Sequence, residues 1–225
     1  MKFIYKFLKW LFILFFATSI LAVIAYRWLP VPYTPLMLIR TAEQKKAGKT
    51  TRLEHQWVPM SEISDQLPLA VWASEDQRFF DHWGFDFEAI STAYKETQEG
   101  KRLRGASTIT QQTAKNVFLW PQSSWVRKGL EAYFTLLIEL FWSKERIMEV
   151  YLNSIEMGDG IYGAEAVAQA HFGITAKQLS RHQCALIAST LPNPIKFNSA
   201  HPSTYMYKRQ KFILKQMKNL GSWPK

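Results

Sequence analysis

A long apolar run lies near the start of the chain. No charged residue occurs from Trp10 to Tyr26, and the run continues past Arg27 to Leu29. A helix needs about 20 apolar residues to span a bilayer, so the pattern predicts a transmembrane anchor over residues 10–29. A cleaved signal peptide is the alternative, but the run is long for one and no small-x-small cleavage site follows it.

The segments on either side of the run differ in character. Residues 1–9 carry three lysines, which predict a cytoplasmic tail because positive charge is retained on the inner side. Residues 30–54 begin with Pro30, Pro32 and Pro35 and then become polar and basic. The prolines predict a stiff, extended tether. Residues 55–225 remain for one domain of ordinary size.

The first stretch of that domain, residues 69–84, combines apolar periodicity with acids. As one helix it places Val71, Glu75 and Phe79 on a single face, with Asp76 beside them. A carboxylate partly removed from water is typical of a general acid or base. The alternative is an amphipathic core helix with two acids at the water boundary.

Most of the remaining chain also has helical periodicity, and no convincing series of strands appears, so the fold is predicted to be mostly α. The apolar, aromatic-rich stretch that ends at Trp142 is either a core helix or an amphipathic element at a membrane surface. The predicted helices run from Asp86 to Gln98, from Ser124 to Trp142, over 144–158 and 162–173, from Arg181 to Pro192, and from Ser203 to Leu220.

A basic loop precedes another candidate site. Lys101, Arg102 and Arg104 lead into Gly105, and Ser107 and Thr108 follow where a helix can begin. Free backbone N–H groups and hydroxyls at a helix start can hold an anion, with Lys115 two turns farther on. A capped helix after a solvated loop explains the same residues.

Composition limits the kinds of molecule that the chain is expected to bind. The 28 Lys and Arg against 18 Asp and Glu give a net charge of +10 and favour an anionic partner: nucleic acid, acidic lipid or phosphate. Aromatics make up 15% of the chain, which is typical of sugar-stacking or membrane-interface surfaces. The single cysteine, Cys184, excludes an intrachain disulfide and is predicted to lie in the core.

Four short motifs follow one another along the chain. The first, Glu-Asp-x-x-Phe-x-x-His-x-Gly, comprises Glu75, Asp76, Phe79, His82 and Gly84, and the second, Gly-x-Ser-Thr-Ile-Thr-Gln-Gln-x-x-Lys-Asn, runs from Gly105 to Asn116. The third, Arg-Lys-x-x-Glu, comprises Arg127, Lys128 and Glu131, and the fourth, Lys-x-x-Ile-x-Glu-x-Tyr-Leu-Asn, comprises Lys144, Ile147, Glu149, Tyr151, Leu152 and Asn153. A looser fifth runs from Arg181 to Pro192. In this order the motifs resemble those of glycosyltransferase family 51, whose members polymerise bacterial peptidoglycan from lipid II.

The resemblance implies a lysozyme-like, mostly α glycosyltransferase domain with one N-terminal transmembrane helix. A monofunctional member is expected, since the only Ser-x-x-Lys, Ser222 to Lys225, has no transpeptidase domain around it. The resemblance assigns catalysis to Glu75, as the general base, and to Glu131. The residues that match binding positions, or support them, are Asp76, Phe79, His82, Ser107, Thr108, Gln112, Lys115, Asn116, Arg127, Lys128, Glu149 and Arg181.

The implied partners are lipid II, the growing glycan chain and the bilayer, with other cell-wall synthesis or division proteins left open. No organic cofactor is expected. A divalent cation, Mg²⁺ or Mn²⁺, is considered at the pyrophosphate, with Glu131 as its candidate ligand. The expected location is the inner membrane, with the catalytic domain in the periplasm. Nucleic-acid binding is discounted because no recognition motif is present. The alternatives are a lysozyme-like lytic enzyme and a non-enzymatic cell-wall scaffold.

Overall fold

The computed structural model describes residues 2–100 and 107–224, and in this part of the chain the predicted mostly α fold is confirmed. Three short strands and two 3₁₀ turns, Met60–Glu62 and Ala176–Gln178, accompany the helices. The helices are α1 (Lys2–Tyr26), α2 (Pro35–Lys46), α3 (Gln66–Glu75), α4 (Phe87–Gln98), α5 (Ile109–Phe118), α6 (Trp125–Phe141), α7 (Lys144–Ser154), α8 (Ala164–Phe172), α9 (Arg181–Thr190) and α10 (Thr204–Leu220).

Helix α1 is the one helix in the described residues that is long and apolar enough to cross a membrane. Its first half is exposed, whereas Ser19 and Val23 in its second half are buried against the domain. Ser19 shares a 2.8 Å hydrogen bond with the hydroxyl of Tyr133 on α6. The indole N–H of Trp142 donates to the carbonyl of Val23 at 2.7 Å. The anchor therefore packs on the domain along its second half.

Arg146 of α7 holds the end of that anchor. Its guanidinium donates to the carbonyl of Tyr26 at 3.1 and 2.9 Å and to the carbonyl of Leu29 at 2.5 Å. The last carbonyls of a helix have no partner within the helix, and a cation there also offsets the negative end of the helix dipole. Arg146 thus joins the membrane helix to the domain.

The prediction of an extended tether over residues 30–54 is wrong in part, because helix α2 lies inside it. Thr34 caps α2, and Pro35 occupies its first turn, where a fixed φ and a missing N–H favour a helix. Leu36 and Met37 are buried against Tyr162. The segment therefore packs on the domain, and it lacks regular structure before Thr34 and between α2 and residue 54.

The core is centred on α3, which contacts α9 and α10, while α5 packs between α6 and α7. Cys184 is fully buried in this core, as predicted. The strands are β1 (Glu54–His55), β2 (Glu156–Gly158) and β3 (Ile161–Tyr162), in the order β1-β3-β2. β1 is parallel to β3, and β2 is antiparallel to it. Strands this short contain too few residues to show an alternating pattern.

The predicted helix over 69–84 is too long, since α3 ends at Glu75. Asp76 has a non-helical backbone, with φ −159° and ψ 78°, and the chain then turns back to Gly84. Gly84 has φ +75°, and a Cβ there would lie 2.5 Å from the side chain of Thr135. Only glycine fits that turn without strain. The apolar residues beyond Glu75 enter the core from the turn.

Phe79 is one of those residues and is fully buried. The ammonium of Lys144 lies 4.6 Å from the centroid of its ring, and the same ammonium donates to the carbonyl of His82 at 2.7 Å and to Glu139 at 2.8 Å. A direct substrate contact by Phe79, as the resemblance implied, is therefore wrong in this structure. Phe79 holds the turn onto the core.

Replacing Phe79 with alanine is expected to lower the free energy of unfolding by about 3–5 kcal/mol, because it leaves a cavity in the core. Denaturant unfolding of the detergent-solubilised chain measures the change. Phe87→Ala is the matched control, since Phe87 is 75% exposed and its truncation is expected to cost about 0.5 kcal/mol or less. Equal losses in the two variants would contradict the burial of Phe79 in the turn.

Candidate active site

Glu75 ends α3 with its carboxylate held from several sides. Oε2 accepts a 3.2 Å hydrogen bond from the amide nitrogen of Gln112 on α5. Oε1 accepts from the Ser74 hydroxyl at 2.8 Å and lies 3.4 Å from the guanidinium of Arg209 on α10. The Glu75 side chain is 13% exposed. The carboxylate is thus fixed in direction, yet it still reaches solvent.

Tyr151 of α7 sets the orientation of Gln112. Its hydroxyl donates to the amide oxygen of Gln112 at 3.1 Å, so the amide nitrogen faces Glu75. Burial raises the pKa of Tyr151 well above its usual value, and the nearby charges of Glu75 and Asp76 raise it further. Tyr151 therefore keeps its proton and remains a donor at any physiological pH.

Asp76 joins the turn after α3 to the start of α5. The ring nitrogen Nε2 of His82 lies 3.0 and 3.1 Å from the two Asp76 oxygens. One of those oxygens also accepts from the backbone N–H of Ile109 at 3.1 Å. Both Asp76 and His82 are buried. A carboxylate near a helix N-terminus is stabilised by free N–H groups and by the helix dipole, so this contact fixes α5 beside Glu75.

Two cavities border the partners of the Glu75–Gln112 hydrogen bond, one at each residue. The first, of about 290 Å³, is lined by Glu75, Asp76, Ser107 and Thr108 together with one face of α4. The second, of about 300 Å³, is lined by Gln112, Lys115 and Asn116 together with Arg40 of α2 and the segment that follows α9. The first cavity therefore has the Glu75 carboxylate at its edge, and the second has the cations Lys115 and Arg40 together with the carboxyl group of Glu156.

Arg127, Lys128 and Glu131 form a cluster on the first turns of α6. Glu131 is buried, and its two oxygens accept from different cations, Arg127 at 2.5 Å and the ammonium of Lys128. Ser124 caps the helix through the N–H of Arg127, as predicted. Arg127 is itself buried, and its Nε has no hydrogen-bond partner. One carboxylate thus holds two cations that would otherwise repel each other.

Lys115 is near enough to this cluster for its pKa to respond to it. Burial lowers the pKa of the Lys115 ammonium below its usual value, the charge of Glu131 raises it, and Arg127 and Lys128 lower it again. Burial beside two other cations makes the charged form of Lys115 costly. An anionic group that enters the cavity would offset that cost.

A divalent cation does not fit at Glu131. Both of its oxygens already accept from cations, and a metal ion would add positive charge beside Arg127 and Lys128. In the described part of the chain, Asp76, His82 and Asp86 also lie close enough together to be considered as metal ligands. However, Asp76 is bound to His82 and Ile109, whereas Asp86 caps α4 and pairs with Arg78 at 3.4 Å. Those contacts account for both carboxylates.

Two of the predicted site residues lie elsewhere. Arg181 donates to Gln66 at 2.9 Å, and Gln66 begins α3, about 14 Å along the helix axis from Glu75. Glu149 accepts from the N–H of Met60 at 2.9 Å and from Arg146 at 2.5 Å. These contacts hold α9 and the end of the anchor, and the site roles of Arg181 and Glu149 stay predictions.

Thr108 and Asn116 are at the site, but their hydrogen-bonding groups are engaged within the protein. The Thr108 hydroxyl donates to the carbonyl of Gly84 at 2.6 Å and accepts from the N–H of Gln111. The amide of Asn116 donates to the carbonyl of Gln112 at 2.8 Å. Gly105 and the basic residues before it lie outside the described residues.

Sequence reasoning missed Arg209 at this site. The buried residues of α10 are Met206, Gln210, Ile213 and Met217, and Arg209 lies three positions after the first and four before Ile213. That spacing places a cation at the edge of the buried face, which is the signal that could have identified it. Its partner, 134 positions away, had no signal in the sequence.

Comparison with known proteins shows which family the chain belongs to. The sequence profile of the transglycosylase family matches residues 43–218. A biosynthetic peptidoglycan transglycosylase of Bacteroides thetaiotaomicron is 63% identical over 223 residues, which cover 99% of this chain and 90% of that protein. Proteins of the same name from Pseudomonas putida W619 and Stutzerimonas stutzeri A1501 are 53% and 52% identical, over 92% and 96% of this chain and 88% of each relative. These matches over most of its length show that the chain belongs to the transglycosylase family.

Proposed function

We propose that the chain is a peptidoglycan glycosyltransferase that polymerises lipid II into β-1,4-linked glycan strands and releases undecaprenyl diphosphate. Its relatives carry the name biosynthetic peptidoglycan transglycosylase and match it over nearly its whole length, which supports glycan polymerisation in cell wall synthesis.

The observation that carries the mechanism is that Glu75 lines one cavity and is hydrogen-bonded to Gln112, which lines another. Glycan polymerisation brings two sugars together, one that attacks and one that carries the pyrophosphate. The cavity edged by Glu75 suits the attacking sugar, and the cavity lined by Lys115 suits the anionic partner. A lytic enzyme would have no phosphate leaving group to place beside Lys115.

Glu75 acts in this proposal as the general base. It removes the proton from the 4-hydroxyl of the acceptor sugar while that oxygen attacks C1 of the donor. The C1–O bond to the α-linked pyrophosphate breaks on the opposite face, so a single displacement inverts the configuration and gives a β-1,4 bond. Positioned proton transfer of this kind contributes about 10²–10⁴ in rate.

The cations act on the leaving group. Negative charge grows on the pyrophosphate as the C1–O bond breaks, and fixed donors stabilise it most when they are already in place. Lys115 lines the cavity, while Arg127 and Lys128 are held by Glu131. A divalent metal has no place in this account, because the Glu131 oxygens are already occupied.

The proposed location follows from α1. The lysines before it favour a cytoplasmic N-terminus, which places the catalytic domain in the periplasm at the inner membrane. Leu136 and Leu140 of α6 are 60% and 64% exposed on the helix that packs against α1, which suits a domain seated on the bilayer. The substrate is then reached from the membrane in which its lipid is anchored. Contacts with other cell-wall proteins remain a proposal.

The test of the function is polymerisation of labelled lipid II by the detergent-solubilised full chain and by its Glu75→Gln variant. The parent is expected to form glycan chains, whereas the variant is expected to lose about 10²–10⁴ in rate because it cannot take the proton. Glu145→Gln, the same change on an exposed acid of α7, is the matched control. Shortening of preformed glycan by the parent would instead favour a lytic enzyme, and binding without turnover a scaffold.

Lys115 gives a prediction on the alkaline side. Because its pKa is lowered, the ammonium loses its proton at a lower pH than an ordinary lysine, and binding of the pyrophosphate weakens with it. Lys115→Arg keeps its charge to higher pH, so the decline of kcat/KM is expected at higher pH in this variant than in the parent. Measuring kcat/KM from about pH 7 to pH 10 tests this. If kcat/KM declines at the same pH in the variant and in the parent, the prediction is contradicted.

Glu131 is expected to affect both stability and activity. Glu131→Gln leaves buried Arg127 without its counter-charge and should lower the free energy of unfolding by about 3–5 kcal/mol. The double variant Arg127→Met with Glu131→Leu removes both charges, so it is expected to recover stability but not polymerisation. Denaturant unfolding and the lipid II assay separate the two effects. Recovery of activity in the double variant would exclude Arg127 and Glu131 from catalysis.

A further inference from the structure

Arg209 of α10 approaches the proposed base from the C-terminal end of the chain. Its guanidinium donates to the Ser74 hydroxyl at 3.0 Å and lies 3.4 Å from Oε1 of Glu75. Its side chain is 26% exposed, and its Nε is buried without a hydrogen-bond partner.

The contact makes the two oxygens of Glu75 unequal. Oε1 faces a hydroxyl donor and a guanidinium, whereas Oε2 faces the amide of Gln112. An oxygen beside a fixed positive charge is the poorer proton acceptor. The arriving proton is therefore directed to Oε2, the oxygen that faces Gln112 at the edge of the second cavity.

A purely structural ion pair explains the contact less well. Helix α10 already packs on α3 and α9 through Met206, Ile213 and Met217. A partly buried arginine costs desolvation, and its 3.4 Å separation from Glu75 recovers little of that cost. An apolar residue at position 209 would serve the packing at least as well.

We propose that Arg209 is a positioning residue for Glu75, an inference that rests on the proposed polymerase function. Together with Ser74, it holds Oε1 and leaves Oε2 directed at the hydroxyl that must lose its proton. It acts through Glu75 and contributes little to binding of lipid II. Small displacements of a catalytic group cost about 10² in rate, and that is the loss expected when Arg209 is removed.

The test compares Arg209→Met, Arg209→Lys and the control Lys208→Met, which removes a charge from an exposed position on the same helix. Each full-length variant is assayed for kcat and KM with lipid II and for thermal unfolding. Arg209→Met is expected to lower kcat by about 10²-fold with KM nearly unchanged. Arg209→Lys should recover part of that kcat, and Lys208→Met should match the parent.

The other outcomes are equally distinct. Parent-like kcat in Arg209→Met, or a loss that appears in KM alone, would overturn the positioning role while leaving the polymerase function intact. If Arg209→Met unfolds, Arg209→Gln replaces it, and a folded Arg209→Gln variant with parent-like kcat or a loss in KM alone overturns the role, whereas reduced kcat at unchanged KM supports it. A parent chain that forms no glycan would overturn the function and this inference together.

Discussion

The buried carboxylate of Asp76 is the contact on which the site depends. It binds His82 from its own turn and the free N–H of Ile109 at the start of α5. Both partners are removed from water, so a lost contact would leave polar groups unsatisfied, at about 1–3 kcal/mol each. Because Asp76 follows Glu75 directly, fixing Asp76 also fixes the end of α3. Gln112, one turn into α5, then lies within reach of Glu75.

A second constraint is electrostatic. Arg127 and Lys128 would repel each other at adjacent positions, and the buried carboxylate of Glu131 holds both. Lys115 adds a third positive charge near Arg127 and Lys128, and burial lowers the pKa of Lys115. Holding these cations close together costs free energy, and the packing of the core offsets that cost. Charges that are already in place need no reorganisation when a substrate's negative charge develops.

The anchor is part of the same framework. Arg146 binds the last carbonyl of α1 and that of Leu29 just beyond it, and it pairs with Glu149, which in turn accepts from the backbone of Met60. Helix α7 therefore carries Arg146 and Glu149 toward the membrane helix and Tyr151 toward Gln112. One helix thus contacts both the anchor and the site.

What the sequence determined by itself was local. A long apolar run indicated α1, apolar periodicity indicated most of the domain helices, and the motif spacing indicated the family. Arg127, Lys128 and Glu131 lie within four positions of one another on α6, so a linear pattern records that group. Glu75 and Gln112 lie 37 positions apart, so only the resemblance to a family placed them at one site before the structure did.

Only the tertiary structure decided the rest. The helix ends at Glu75 because Asp76 finds partners in α5, although the apolar period continues to Phe79. Arg181 and Arg209 look alike in sequence, yet one binds the far end of α3 and the other binds Glu75. Partners more than 100 positions apart meet through the packing of helices. The energy that brings them together comes from the core as a whole, and no local pattern records it.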